Sequence, residues 1–129
     1  MRGRQVLMQT LVNHGVDRIF GNPGTTESPL LDSLLDYPSL QYIVHLHEGA
    51  AVGAAIFYGQ ARGKSAFVNL HVAPGLGDDI GLIYGPLQNT TPMAVQAVHQ
   101  APRPRRLARQ PGPARPAPHA ARPRWRLHL

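Results

Sequence analysis

At 129 residues the chain has room for one domain of ordinary size, which excludes the two or three domains of a large cofactor-spanning enzyme. It contains no cysteine, so disulfides and thiolate metal sites are excluded, in keeping with a reducing cytoplasm. The formal charge of +6 would point to nucleic acid or an anionic membrane, but residues 1–95 carry five bases against seven acids while residues 96–129 carry eight arginines and no acid.

The amino terminus has charge but no continuous apolar stretch like a signal peptide, and no segment approaches ~18 consecutive apolar residues, so a soluble, cytoplasmic chain without a membrane partner is expected. Val6, Leu7, Leu11 and Val12 share one helical face, which predicts a first helix over residues 4–14, with Gly15 as its stop. Arg18-Ile19-Phe20 reads as a short strand running into the turn formers Gly21-Asn22-Pro23-Gly24. Ser28-Pro29 starts a second helix, with Leu30, Leu31, Leu34 and Leu35 as its buried face. Residues 41–46 predict a second strand, and Glu48 to Arg62 a third helix of small residues that permits close backbone packing. Residues 66–71 predict a third strand, Pro74-Gly75-Leu76-Gly77 a second glycine-rich turn, residues 78–88 a fourth helix, and Thr91 to Val95 the start of a fourth strand. Alternating helices and apolar strands give an α/β fold, a three-layer parallel sheet flanked by helices, with ligands at the carboxyl ends of the strands. Beyond it, residues 101–126 hold seven prolines and eight arginines, so residues 96–129 are expected to form a disordered tail.

Three features can carry chemistry. Gly75-Leu76-Gly77-Asp78-Asp79-Ile80-Gly81 has the glycine spacing of a phosphate loop, but Asp78 and Asp79 place negative charge where an anion would dock, so a tight turn is the better reading. His45 and His47 alternate at a strand end like a metal pair, with only His71, His14 and His99 as further donors. Glu48 is a lone carboxylate entering a helix of glycines and alanines. Its chemistry alone is that of a helix-start acid favoured by the macrodipole.

Taken together, several segments resemble one family. Val16-Asp17-Arg18-Ile19-Phe20-Gly21-Asn22-Pro23-Gly24 resembles the first strand and turn of thiamine-diphosphate-dependent decarboxylases and their acetohydroxyacid-synthase relatives. His47-Glu48-Gly49-Ala50-Ala51 and the helix through Lys64 resemble their catalytic glutamate helix, and Phe67 to His71 with Pro74-Gly75-Leu76-Gly77 resembles the next strand and turn. Asn69-Leu70-His71 is similar to the benzoylformate decarboxylase branch rather than the synthases, and order and spacing fit across about 90 residues.

The resemblance implies that residues 1–95 are the N-terminal pyrimidine-binding domain of a 2-oxo-acid decarboxylase. Glu48 would hydrogen-bond a pyrimidine ring nitrogen and favour the imino tautomer, whose neighbouring nitrogen takes the thiazolium proton. His71 would move protons, Thr25 would bind the substrate carboxylate, and Asn22, Pro23, Gly24 and Gly75 would line the cofactor. It also implies thiamine diphosphate, Mg2+ held by a domain absent from this chain, and a homo-oligomer in the full-length relatives; no metal ligand is assigned here. The sequence departs from the family at Asp78 and Asp79, where relatives carry asparagine and alanine, and at Gly85-Pro86. The expectation is therefore a truncated domain, inactive alone, with a tail such as a shifted reading frame would produce. Two alternatives stand beside it. One is a fragment of an acetolactate synthase-like carboligase; the other is nucleic-acid binding by the tail's arginines, for which Trp125 is the single tryptophan available for stacking.

Overall fold

The computed structural model describes residues 2–98; of the tail expected from residue 96, Gln96 and Ala97 belong to a strand, while its predicted disorder from His99 onward and its nucleic-acid reading lie outside the described residues. Four strands, β1 (Arg18–Gly21), β2 (Gln41–Val44), β3 (Ala66–Leu70) and β4 (Met93–Ala97), pair in parallel in the order β2-β1-β3-β4. Of four α-helices, α1 (Gly3–Asn13) precedes β1, and α2 (Ser28–Ser33), α3 (Glu48–Arg62) and α4 (Val72–Gln88) connect successive strands. Short 3-10 turns cover Thr25–Glu27 and Leu34–Asp36.

Strand alternation sorts the core into two layers, because successive side chains point to opposite faces. Ile19 and Phe67 face Met8, Leu11 and Leu30 from α1 and α2. Phe20 and Val68 face Ala51, Val52 and Ala55 of α3, with Leu76 and Ile83 of α4 beside them. The expected three layers are therefore present, and every residue of β3 is buried. The chain visits β2 on one side of β1 and β3 on the other, so the connections leaving β1 and β3 diverge at their carboxyl ends. That divergence opens a crevice where α/β sheets bind ligands.

Several boundaries differ from the sequence expectation, each for a local reason. On α1, Met8 is buried and Val6 is 47% exposed, because the helix rolls so that Met8 and Leu11, three residues apart, form its inner edge. Gly15, at φ +73°, does end the helix as expected. On α2, Leu35 is 85% exposed, since the chain tightens into the Leu34–Asp36 3-10 turn and leaves the α-helical phase that aligned the leucines. β2 ends at Val44: the His45 N–H reaches the Gly21 carbonyl at 2.8 Å, but β1 stops there and Leu46 is left exposed. β4 runs past Val95 to Ala97.

The largest correction concerns α4, which begins at Val72 and not at Asp78. Pro74-Gly75-Leu76-Gly77 lies in its first two turns and is not a loop, with Pro74 in the first. Proline is tolerated there because the opening N–H groups of a helix have no partner inside it. The phosphate-loop spacing thus lies within a helix, and Asp79, expected in the opening turn of a helix over residues 78–88, sits two turns in with none of its surface exposed.

Candidate functional site

The carboxyl ends of β1 and β3 and the head of α3 bring together most of the residues singled out in the sequence. Asn22-Pro23-Gly24 leaves β1, His71 follows β3 as the residue capping α4, and Glu48 opens α3. Glu48 is 8% exposed, and its Oε2 accepts a hydrogen bond from Asn22 Nδ2 at 3.3 Å. Its other oxygen lies beside Gly75: a Cβ there would stand 3.0 Å from Oε1 and 3.1 Å from Cγ, closer than side chains normally approach. Gly75 therefore serves as a bare helical surface against a buried carboxylate. The α3 amino terminus favours negative charge at this position.

His71 is held by a residue the sequence reading overlooked. Glu27, 1% exposed, accepts from His71 Nδ1 at 2.7 Å, from the Gly24 N–H at 2.8 Å and from Thr26 Oγ1 at 2.7 Å. Burial pushes the Glu27 carboxyl up, but the hydrogen bonds from Thr26, His71 and Gly24 outweigh it and leave the group below its ordinary value. A carboxylate that binds Nδ1 fixes the tautomer and orientation of the imidazole and leaves Nε2 free of that tie. Gly24 is required on steric grounds, since a Cβ there would overlap the His71 ring. A signal for Glu27 was available: glutamate three residues after a turn residue is the pattern that returns a side chain to the turn's own N–H.

Thr25 is exposed, and it is its neighbour Thr26 whose hydroxyl stands 3.4 Å from His71 Nδ1. Directly after His71, Val72 adopts φ +44°, a conformation that β-branched residues rarely take. Below the crevice, Gly21 is pressed between strands: a Cβ would overlap the Tyr42 hydroxyl and lie 2.5 Å from the Asn69 carbonyl oxygen. Asn69, fully buried, donates from Nδ2 to the Tyr42 hydroxyl at 3.3 Å. Burial raises the Tyr42 phenol above its ordinary value, so it stays neutral as it accepts from Asn69.

The histidine pair does not form the site that alternation suggested. His45 Nδ1 lies 3.0 Å from the Ile43 carbonyl, whereas His47 caps α3 by accepting the Gly49 N–H on Nδ1 at 3.0 Å. β2 ends before both, so they do not share a strand face. Among the described residues no group of three or more His, Cys, Asp or Glu side chains could hold a metal. Nor is any helix among them long and apolar enough to cross a membrane.

Fold and site together define a parallel-sheet domain that presents a buried glutamate, a carboxylate-held histidine and an Asn-Pro-Gly turn in one crevice. Comparison with known proteins gives this arrangement its family. Residues 1–111 match the family described as thiamine pyrophosphate enzyme, N-terminal TPP binding domain, and the chain belongs to that family. Over 93 residues it is 41% identical to benzoylformate decarboxylase of Pseudomonas aeruginosa, covering 71% of this chain and 17% of that protein. It is 32% identical to the acetolactate synthase large subunit of Lactococcus lactis over 93 residues, 72% of this chain and 16% of that one. Among solved structures it is similar to the Rhodococcus jostii thiamine diphosphate-dependent 4-hydroxybenzoylformate decarboxylase, with a TM-score of 0.71 at 33% identity, covering 78% of this chain and 19% of that one. The chain thus spans less than a fifth of the length of these relatives.

The residues present fit the pyrimidine half of thiamine diphosphate. A buried carboxylate at a helix head, one oxygen tied to Asn22 and the other beside the bare surface of Gly75, can take a hydrogen bond from a protonated ring nitrogen, and glycine lets the Glu48 side chain lie close against α4.

Proposed function

We propose that residues 1–98 form the aminopyrimidine-binding part of a thiamine-diphosphate-dependent 2-oxo-acid decarboxylase of the benzoylformate decarboxylase type. The observation that carries this reading is the Glu48 carboxylate, buried between Asn22 and the bare Cα of Gly75. Glu48 holds a ring nitrogen of the pyrimidine, and Asn22, Pro23, Gly24 and Gly75 shape the space around it. When bound, the cofactor supplies a carbanion equivalent for cleaving the bond next to the 2-oxo group. Glu48 sets the protonation of the ring it holds. His71, oriented by Glu27, gives and takes protons at Nε2 on the substrate side, and Thr25 binds the substrate carboxylate from the exposed rim of the turn.

The diphosphate and Mg2+ are held in this reading by residues other than those described, and the described residues by themselves are expected to be without decarboxylase activity. Association with a second copy belongs to it as well, supported by the exposed Phe57, Tyr84 and Leu87 on α3 and α4. Asn69-Leu70-His71 favours this branch over a carboligase of the acetolactate synthase type, which remains the second reading on the strength of the Lactococcus similarity.

The test uses the pyrimidine portion of thiamine, 4-amino-5-hydroxymethyl-2-methylpyrimidine, titrated into the labelled chain and followed by amide NMR. Binding in the millimolar range is expected, with shifts concentrated at Asn22, Glu48 and Gly75 and lost in Glu48→Gln. Shifts scattered over the surface, or unchanged by that substitution, contradict the assignment.

A further inference from the structure

Asp79 is the one acid of the crevice region that the reading above leaves without a task. It is fully buried, and neither carboxyl oxygen has a hydrogen-bond partner. Its place follows from helix geometry. Gly75 and Asp79 are four residues apart on α4 and share its face toward α3, so while Gly75 lies against the Glu48 side chain, Asp79 meets the next residue of α3. A Cβ at Gly49 would stand 3.3 Å from Asp79 Oδ1, 3.1 Å from His47 Nδ1 and 3.3 Å from Leu82 Cδ1. Two carboxyls therefore face the first turn of α3, whose amino terminus offers only about half a positive charge.

Ionising both would bury a second unpaired negative charge, far more costly than burying a neutral carboxyl. Glu48 has the Asn22 donor and Asp79 has none, so the proton belongs on Asp79. We propose that Asp79 is the proton-carrying partner of Glu48: a neutral carboxyl that limits the head of α3 to one negative charge and thereby acts, through Glu48, as a positioning residue. A crevice with one negative charge suits a heteroaromatic ring that presents a protonated ring nitrogen to it, the ligand class of the proposed function, on which this inference rests for the ligand alone. The electrostatics agree: burial first, then the Glu48 charge, raise the Asp79 carboxyl, the neighbouring Asp78 adds to this, and His47 opposes it.

The experiment is a pH titration of the full chain carrying isotope-labelled aspartate, read at Cγ by NMR. The five aspartates are Asp17, Asp32, Asp36, Asp78 and Asp79, and the resonance lost in Asp79→Asn identifies the last. Asp79 is expected to stay neutral after the other four have ionised, and in Glu48→Gln its midpoint should fall toward theirs. A merely packed carboxyl would not respond to that isosteric change. Asp79 titrating with the others in the wild-type chain overturns the proposal, whether or not the variant folds, and so does a midpoint unmoved by Glu48→Gln. No thiamine or analogue is added, so this test can fail while the pyrimidine titration succeeds, and the reverse.

Discussion

The turn after β1 and the contact between α3 and α4 each bury a carboxyl, and they treat it in opposite ways. Glu27 receives the Gly24 N–H, the Thr26 hydroxyl and His71, while Asp79 receives nothing from the protein. The first region is closed and self-satisfied, as expected of a part that must aim an imidazole. The second is left incomplete. A polar group at full burial with no partner costs stability, and its presence beside Glu48 marks where the fold gives up stability next to the proposed pyrimidine site.

The same substitution separates the two regions most strongly. Gly21→Ala drives a methyl into the Asn69 backbone carbonyl and the Tyr42 hydroxyl, and should lower unfolding stability by about 3 kcal/mol in urea melts. Gly49→Ala meets only side-chain atoms of His47, Asp79 and Leu82 at 3.1–3.3 Å, and with alanine's better helix propensity should stay within about 1 kcal/mol of wild type. Equal losses at the two sites would erase the distinction.

Removing the carboxyls comes next. Glu27→Ala leaves the Gly24 N–H and His71 without their acceptor and should cost about 2 kcal/mol, whereas Asp79→Ala should raise stability at neutral pH by about 1 kcal/mol. Acid acts on the two with opposite sign. Glu27 is lowered in the folded chain, so its contribution is present above the ordinary glutamate range and is lost as pH falls through its folded value. Asp79 is raised, so its penalty is absent below the ordinary aspartate range and grows as pH rises through its folded value. Urea midpoints measured against pH should thus flatten on the neutral side in Asp79→Ala and on the acid side in Glu27→Ala. The smallest effect is expected at Val72, where glycine relieves the φ of +44° and should add up to about 1 kcal/mol of stability while loosening the aim of His71.

What the sequence disclosed follows the same division. The strands, the α3 boundaries at Glu48 and Arg62 and the Asn22-Pro23-Gly24 turn were legible because apolar runs and turn formers alternate cleanly there. The start of α4 was not, since proline and glycine are the usual marks of a loop. Only tertiary packing shows that a proline in a helix's opening turn and a glycine against Glu48 favour helix instead. Glu27 escaped because its partner His71 is 44 residues away, and Asp79 because a buried acid without a partner contradicts the pattern rules that sequence reading relies on. Leu35 was misplaced because a 3-10 turn shifts helical phase without altering composition.

The central proposal is that the described residues take the aminopyrimidine ring at Glu48, with the diphosphate held elsewhere in the protein. Calorimetric titration of the chain with thiamine and with thiamine diphosphate, both with Mg2+, tests it directly. The account predicts equal, millimolar-range affinities for the two, within about threefold; micromolar binding of the diphosphate alone would contradict it.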